Sequence, residues 1–184
     1  MTMRADVVHF KCEIDDGIAI VALDRPDRKN PLTFESYAEL RDWFRDLHYC
    51  DDVKAVVFAS NGGNFSSGGD VHDIIGPLVS MSMKELLNFT RMTGDLVKAM
   101  INCGKPVIAA IDGAAIGGGF ELMLSCDLAI ASQDSWFSLP EVQHGVIANT
   151  ALQRLQQIVG LRTLLFFAYT GDKLLVQQAH AHGL

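Results

Sequence analysis

Two glutamates stand where carboxyl side chains could carry out acid–base chemistry. Glu121 follows a run of three glycines, Gly117–Gly119, and Glu141 follows Pro140 in a short polar loop. Two carboxyl groups in a partly apolar pocket can hold different protonation states, so that one gives a proton while the other accepts one. A glutamate met in isolation is more often a surface charge or a helix-terminus residue. The residues alone leave both interpretations open.

Two glycine-rich turns could supply hydrogen-bond donors for the same chemistry. Gly68-Gly69 comes after the apolar segment Val53–Ala59, and Gly117–Gly119 comes after Val107–Ile111. If these segments are neighbouring parallel strands, both turns lie outside the carboxyl ends of the strands, where ligands bind. Two converging N–H groups would form an oxyanion hole, in which each donor is worth about 2.7–4 kcal/mol. The alternative is that the glycines only allow a helix to pack closely on the sheet.

Composition and charge argue against several functional classes. The net charge of −7 disfavours a nucleic-acid partner, because phosphate binding favours a basic surface. The four cysteines contain no C-x-x-C pair and the six histidines show no ligand spacing, which predicts reduced thiols and no metal site. Neither glycine run matches a phosphate loop or a dinucleotide fingerprint. Without a signal core or an apolar run of membrane length, we expect a soluble, cytoplasmic protein with no membrane contact.

Alternating strands and helices must position these turns and glutamates. Apolar runs predict the strands, the first two of which form a hairpin around Asp15–Gly17. Helical spacing predicts the helices, with Thr33, or Ser36 with Glu39, capping the first, and Ser82 with Glu85 capping the second. The predicted strands are 7–13, 18–23, 53–59, 107–111, 128–131 and an extended piece at 136–139; the predicted helices are 33–48, 82–101, one starting at 120, 150–159, 161–169 and 177–184.

This alternation predicts the α/β class and a single domain over residues 1–184. The chain stops soon after the last predicted helix begins. We therefore expect that C-terminal helices are missing or cut short after about residue 170.

Five segments, spread over nearly the whole chain, carry motifs in a characteristic order. They are residues 24–31 (DRPDRKNP), 64–70 (NFSSGGD), 105–121 (KPVIAAIDGAAIGGGFE), 125–131 (SCDLAIA) and 136–141 (WFSLPE). In this order and spacing they resemble the enoyl-CoA hydratase/isomerase (crotonase) superfamily. The resemblance implies a spiral of repeated β-β-α units, an acyl-CoA substrate, and a homotrimer or dimer of trimers when the C-terminal helices are present. It implies no separate cofactor, because coenzyme A is part of the substrate.

The resemblance also implies roles for individual residues. Gly69 and Gly118 match the positions whose N–H groups polarise the thioester carbonyl, and Glu121 and Glu141 match the two glutamates of hydratases. In that mechanism Glu121 helps to activate water for attack on the β-carbon, and Glu141 carries the proton to or from the α-carbon. The positions that match the substrate- and CoA-binding segments are Arg25, Arg28, Lys29, Pro31, Ser67, Gly68, Asp70, Val71 and Gly117.

The presence of both glutamates favours a hydratase over the other reactions of the superfamily. One departure keeps the alternatives open, because hydratases usually have Pro-Gly-x-Gly-Gly after the second glutamate and this chain has Ala148-Asn-Thr-Ala151. The alternatives are a hydroxycinnamoyl-CoA hydratase-lyase, an enoyl-CoA isomerase or a decarboxylase. The short C-terminus keeps open a further alternative, a non-catalytic acyl-CoA-binding protein. We further predict an acyl pocket, with ordinary core packing as the alternative, lined by Ile74, Ile75, Pro77, Leu78, Val79, Met81 and Met83.

Overall fold

A five-stranded sheet is central to the computed structural model, which describes residue 3 and residues 6–184 except for the side chain of Asn149. Numbered in chain order, its strands are β1 (Lys11–Asp15), β2 (Ile18–Leu23), β3 (Ala55–Ser60), β4 (Val107–Ile111) and β6 (Leu128–Ala131). They lie side by side in that order. β1 is antiparallel to β2, and the other neighbours are parallel. β3 and β4 are neighbouring parallel strands, which meets the condition set for the two apolar segments before the glycine turns.

The first two strands form the predicted hairpin, but the predicted strand at 7–13 is wrong in its bounds. Asp15 pairs with Ile18, so the loop is Asp16-Gly17, and both residues have positive φ (43° and 80°). Such a two-residue loop matches the twist of the flanking strands. Before β1, the N–H groups of Val8 and His9 donate to the carboxylate of Glu39 instead of to a strand.

A second sheet of three short strands carries one of the two glycine turns. β5 (Ala114–Ile116) is parallel to β7 (Trp136–Ser138), and β8 (Leu174–Leu175) is antiparallel to β7. The sequence did not separate β5 from the glycines, because three residues are too few for an alternation pattern. Gly117–Gly119 therefore follows β5. The sequence analysis had placed this turn after β4, which is wrong.

The two long helices begin with capping boxes. Thr33 Oγ1 accepts from Ser36 N and Ser36 Oγ accepts from Thr33 N, so the alternative Ser36–Glu39 box is wrong. The predicted box of Ser82 with Glu85 is confirmed.

No helix in the described part of the chain is long and apolar enough to cross a membrane. The helices are α1 (Phe34–Leu47), α2 (Gly76–Leu78), α3 (Met83–Ile101), α4 (Gly118–Leu124), α5 (Asn149–Val159), α6 (Leu161–Thr170) and α7 (Val176–Ala181).

Helices α1 and α3 pack against each other, and they use their apolar faces differently. The helical spacing predicts an apolar stripe of Leu40, Trp43, Phe44 and Leu47 on α1, and it is fully buried in the core, where the rings of Trp43 and Phe44 meet edge-on. On α3 the same spacing predicts a stripe of Leu86, Phe89, Thr93, Leu96, Val97 and Met100. Only its second half, including Leu96 and Met100, is buried in that core. The first half, including Phe89, faces a cavity. The amino-terminal half of α3 is thus available as the wall of a binding site.

Candidate active site

A cavity of about 620 Å³ opens between the two glycine turns, the first half of α3 and the segment that follows β7. The four residues predicted to act on a substrate, Gly69, Gly118, Glu121 and Glu141, all lie on its wall. So do four of the predicted binding residues, namely Ser67, Gly68, Val71 and Gly117.

Backbone pairing brings the two glycine turns into direct contact. Ser66 N donates to Ala114 O and Ile116 N donates to Ser66 O, which ties the first turn to β5. Gly68 has φ +84°, and a Cβ added there would lie 2.7 Å from Ile116 O and 3.2 Å from Gly118 N. Only glycine fits that position, because any side chain would push the second turn away. The close approach of the two turns therefore depends on Gly68.

This pairing leaves one backbone donor unused on each turn. On the first turn Leu32 N donates to Gly68 O and Asp70 N donates to Leu32 O, both at 2.8 Å, so that the ladder skips Gly69 N. On the second turn Gly118 is the first residue of α4, and its N–H has no acceptor within the helix. Neither N–H donates a hydrogen bond to any described residue. Two unused donors at one cavity can stabilise negative charge on a ligand oxygen.

Glu121 lies in the first turn of α4 and is held by backbone from a separate segment. Its Oε1 accepts a hydrogen bond from Ala151 N at 3.1 Å. Burial raises the pKa of Glu121, and the hydrogen bonds from the Ala151 and Thr150 backbone oppose that rise. The segment that departs from the usual hydratase pattern is thus the one that orients this carboxyl group and stabilises its ionised form.

Glu141 faces the cavity from a 3₁₀ turn, Pro140–His144, directly after β7. Its Oε2 is buried, and none of the described residues gives it a hydrogen bond. Burial raises the pKa of Glu141 to about 7, and the negative charge of Glu121 acts in the same direction. A carboxyl group with a pKa near neutrality can give and accept protons at physiological pH. Burial thus raises the pKa of both glutamates, and the two differ in that only Glu121 is held by backbone hydrogen bonds from another segment.

Tyr37 is a cavity residue that the sequence analysis missed. It lies on α1 with its ring buried, and its hydroxyl is the atom that a Cβ on Gly118 would strike. Burial raises the pKa of the Tyr37 hydroxyl strongly, and the charges of Glu121 and Glu141 add to that effect. The available signal was position: Tyr37 precedes Leu40 and Phe44 by three and seven residues, and so extends the buried stripe of α1.

The apolar wall of the cavity agrees only in part with the predicted acyl pocket. Ile74, Ile75, Leu78 and Val79 line it, whereas Pro77, Met81 and Met83 do not. Residues 71–78 form a π-helical turn that continues into α2, and a helical segment turns only some of its side chains toward one side. The remainder of this wall comes from α3, through Leu86, Phe89, Thr90, Thr93 and Gly94.

The basic loop, residues 24–31, precedes α1 and lies outside the cavity wall. It is joined to the first glycine turn by Ser67 N, which donates to Lys29 O. Arg25, Arg28 and Lys29 do not line the cavity, and neither do Pro31 and Asp70. Asp70 is fully buried and forms ion pairs with Arg25 at 3.6 Å and Arg28 at 3.3 Å. Burial alone would raise the pKa of Asp70, but the N–H groups of His72 and Asp73 and the two arginines lower it. The Asp70 side chain thus anchors the basic loop and is not available to contact a ligand.

Asn30 organises the basic loop, and no motif had singled it out. It is buried with φ +53°, and its side chain accepts from Arg25 N at 2.7 Å. Its amide nitrogen donates to Asn61 O at 2.9 Å and to Asn64 O at 2.8 Å. One side chain therefore joins the basic loop to the segment that leads into the first glycine turn.

We expect Asn30→Ala to destabilise the protein by about 1–3 kcal/mol, the range for leaving buried partners unsatisfied. Alanine at a positive φ adds strain in the same direction. Urea unfolding measures the loss. Asn61→Ala is the matched control, because Asn61 is exposed and its side chain only donates to Asp24. Equal losses in the two variants would contradict the role assigned to Asn30.

Comparison with known sequences gives matches over nearly the whole chain. The enoyl-CoA hydratase/isomerase family model matches residues 13–184. The mitochondrial Delta(3,5)-Delta(2,4)-dienoyl-CoA isomerase of Rattus norvegicus is 32% identical over 173 residues, which are 89% of this chain and 53% of that protein. The glyoxysomal fatty acid beta-oxidation multifunctional protein MFP-a of Cucumis sativus is 34% identical over 171 residues, which are 92% of this chain and 23% of that protein. The chain thus spans about half the length of the isomerase.

Solved structures also match this fold. A Streptomyces coelicolor A3(2) protein assigned as an enoyl-CoA hydratase is 39% identical with a TM-score of 0.91, and the match covers 96% of this chain and 65% of that chain. An enoyl-CoA hydratase of Mycobacterium smegmatis is 26% identical with a TM-score of 0.89, and the match covers 96% of this chain and 68% of that chain.

Proposed function

The chain belongs to the enoyl-CoA hydratase/isomerase family, and we propose that its cavity binds an acyl-CoA thioester and adds water reversibly across a 2-enoyl-CoA. The predicted α/β, crotonase-like fold is confirmed by the solved structures it matches. One observation carries the proposal: two carboxyl groups and two unused backbone donors line the same cavity.

In the proposed reaction the thioester oxygen accepts hydrogen bonds from Gly69 N and Gly118 N. As water attacks the β-carbon, the electron pair of the C=C bond moves toward the thioester oxygen and an enolate forms. The two donors face the charge that develops there, and each is worth about 2.7–4 kcal/mol in such a site. They are fixed by backbone pairing, so little reorganisation accompanies the charge movement.

The two glutamates move the protons. Glu121, as carboxylate, takes a proton from the attacking water, and the Ala151 N–H supports its ionised form. Glu141, as carboxylic acid, gives its proton to the α-carbon, and the enolate electrons return to reform the C=O bond. A pKa of about 7 keeps part of Glu141 protonated at neutral pH. The net change is the addition of H and OH across the double bond.

Turnover of crotonyl-CoA by the full-length protein tests this proposal, with loss of the conjugated thioester absorbance as the readout. Product mass then separates reactions, because hydration adds one water and isomerisation adds none. A hydrated product supports the proposal. Tight acyl-CoA binding without turnover of any 2-enoyl-CoA contradicts it and favours a binding protein.

The second candidate is an isomerase, supported by the 32% identity to a dienoyl-CoA isomerase. Two carboxyl groups with different proton affinities could also move a proton between carbons of one acyl chain. The 148–151 segment that holds Glu121 departs from the hydratase pattern, which fits this candidate as well as a hydratase-lyase or a decarboxylase. Turnover of 3-enoyl-CoA and 3,5-dienoyl-CoA without mass change favours the isomerase.

Three further expectations stay predictions. Arg25, Arg28 and Lys29 would contact coenzyme A from outside the cavity. A trimer or dimer of trimers is expected for the whole protein. A cytoplasmic location is expected from the sequence, although the matched proteins include mitochondrial and glyoxysomal ones.

A further inference from the structure

Tyr37 places a hydroxyl group beside one of the two proposed oxyanion donors. A Cβ built on Gly118 would collide with this hydroxyl and would lie 3.6 Å from Tyr37 Cζ. Leu32 Cδ1, at 3.5 Å from the same point, closes the other side. The hydroxyl therefore occupies the space directly next to Gly118, on the cavity wall.

The hydrogen-bonding capacity of the Tyr37 hydroxyl is not used within the described part of the protein. No hydrogen bond joins it to another described residue, and the Tyr37 backbone N–H is used inside α1. A buried tyrosine usually finds a partner for its O–H group, because leaving a buried polar group unpaired is unfavourable. The cavity is the space where that partner can bind.

The tyrosine ring is held in place by packing, so the hydroxyl is pre-positioned. The ring is buried and meets Phe89 of α3 edge-on, with centroids 6.3 Å apart. Phe89 in turn packs edge-on against Phe34 at 5.3 Å. A rigid donor at a fixed site suits stabilisation of developing charge better than a mobile one.

The charge around the hydroxyl indicates that it acts as a donor. Burial and the two nearby glutamates disfavour its ionised form, so Tyr37 keeps its proton. A neutral phenol can donate to an oxygen that gains negative charge, as the thioester oxygen does when an enolate forms.

We propose that Tyr37 is a catalytic residue whose hydroxyl donates a third hydrogen bond to the thioester oxygen, beside the N–H groups of Gly69 and Gly118. This inference rests on the proposed acyl-CoA site. It adds a side-chain donor, supplied by α1, to an oxyanion hole otherwise made of backbone.

The test is Tyr37→Phe, which keeps the ring and its contact with Phe89 and removes only the hydroxyl. We expect kcat to fall about 100-fold, the lower end of the range for losing one oxyanion-hole donor, with KM nearly unchanged. Tyr49→Phe is the matched control, because Tyr49 is exposed and remote from the cavity, and it should keep the wild-type rate.

A spectroscopic readout separates a direct hydrogen bond from a structural effect. Butanoyl-CoA labelled with ¹³C at the carbonyl cannot be hydrated, and its bound C=O stretch reports polarisation of the thioester. We expect the band to move to higher frequency in Tyr37→Phe than in wild type and Tyr49→Phe. An unmoved band would overturn the inference, whether or not kcat falls. If wild type turns over no enoyl-CoA but the band still moves, the hydratase proposal fails and the hydrogen bond stands.

Discussion

In the Glu141→Gln variant we expect the hydration rate to fall by about 10²–10⁴-fold, the range for losing a general acid or base. Glutamine has nearly the same shape and keeps the apolar contacts of the side chain, but it cannot give a proton to the α-carbon. The measurement is kcat for crotonyl-CoA hydration. Glu13→Gln is the matched control, since Glu13 is exposed on the edge strand β1.

The same variant should change the pH dependence of the reaction. In the proposed mechanism hydration needs Glu141 protonated, and burial raises the pKa of this carboxyl group to about 7. In the wild type, kcat/KM for hydration should therefore fall as the pH rises through about 7, where the carboxyl group loses its proton. The Glu141→Gln variant has no such group and should lack that limb. A limb that survives in the variant would show that another group supplies the proton.

The second large effect is expected for Gly68→Ala. The new Cβ would lie 2.7 Å from Ile116 O and 3.2 Å from Gly118 N, so the two glycine turns would have to move apart. In the proposed site this movement would prevent Gly69 N and Gly118 N from donating to the same thioester oxygen. We expect kcat to fall by at least about 10²–10³-fold, as for loss of one donor.

Strain at φ +84° should also lower the stability of Gly68→Ala by about 1–3 kcal/mol. Urea unfolding separates this loss from the loss of rate. Gly63→Ala is the matched control, because a Cβ at Gly63 meets nothing within 4 Å. A Gly68→Ala enzyme with near-normal kcat would contradict the assignment of both turns to the oxyanion hole.

The long helices and the longer strands were predictable because their patterns of apolar residues extend over enough positions to be recognised. The stripe of Leu40, Trp43 and Phe44 and the capping box of Ser82 gave the two long helices close to their observed bounds. The apolar runs that became β3 and β4 gave two strands that are neighbours and parallel in the sheet. Three-residue strands such as β5 carry no comparable pattern, and the turn was therefore assigned to the wrong strand.

The site was predictable where motifs mark it and not where tertiary packing builds it. The positions of Glu121 and Glu141 follow glycine and proline signals that are local in sequence. Tyr37 and Asn30 contact residues that are distant in sequence. The stripe of α1 predicts that Tyr37 is buried, but no local pattern predicts which residues either side chain meets. Along α3, Met100 packs in the core whereas Phe89 lines the cavity. This difference depends on which elements pack against each turn of the helix, and the apolar spacing of α3 does not reveal it.

The hydrogen bond from Ala151 N to Glu121 Oε1 means that the first turn of α5 sets the orientation of this carboxylate. Every residue except proline has a main-chain N–H, so substitutions at 148–151 that do not put proline at 151 can accumulate without removing this hydrogen bond. A change in the length of the loop between the 3₁₀ turn Pro140–His144 and α5 would instead move the Ala151 N–H and redirect the carboxylate while both glutamates stayed in place. Related proteins that keep both glutamates could catalyse different reactions after such insertions or deletions. The length of this loop would then distinguish their reactions better than the presence of the two glutamates does.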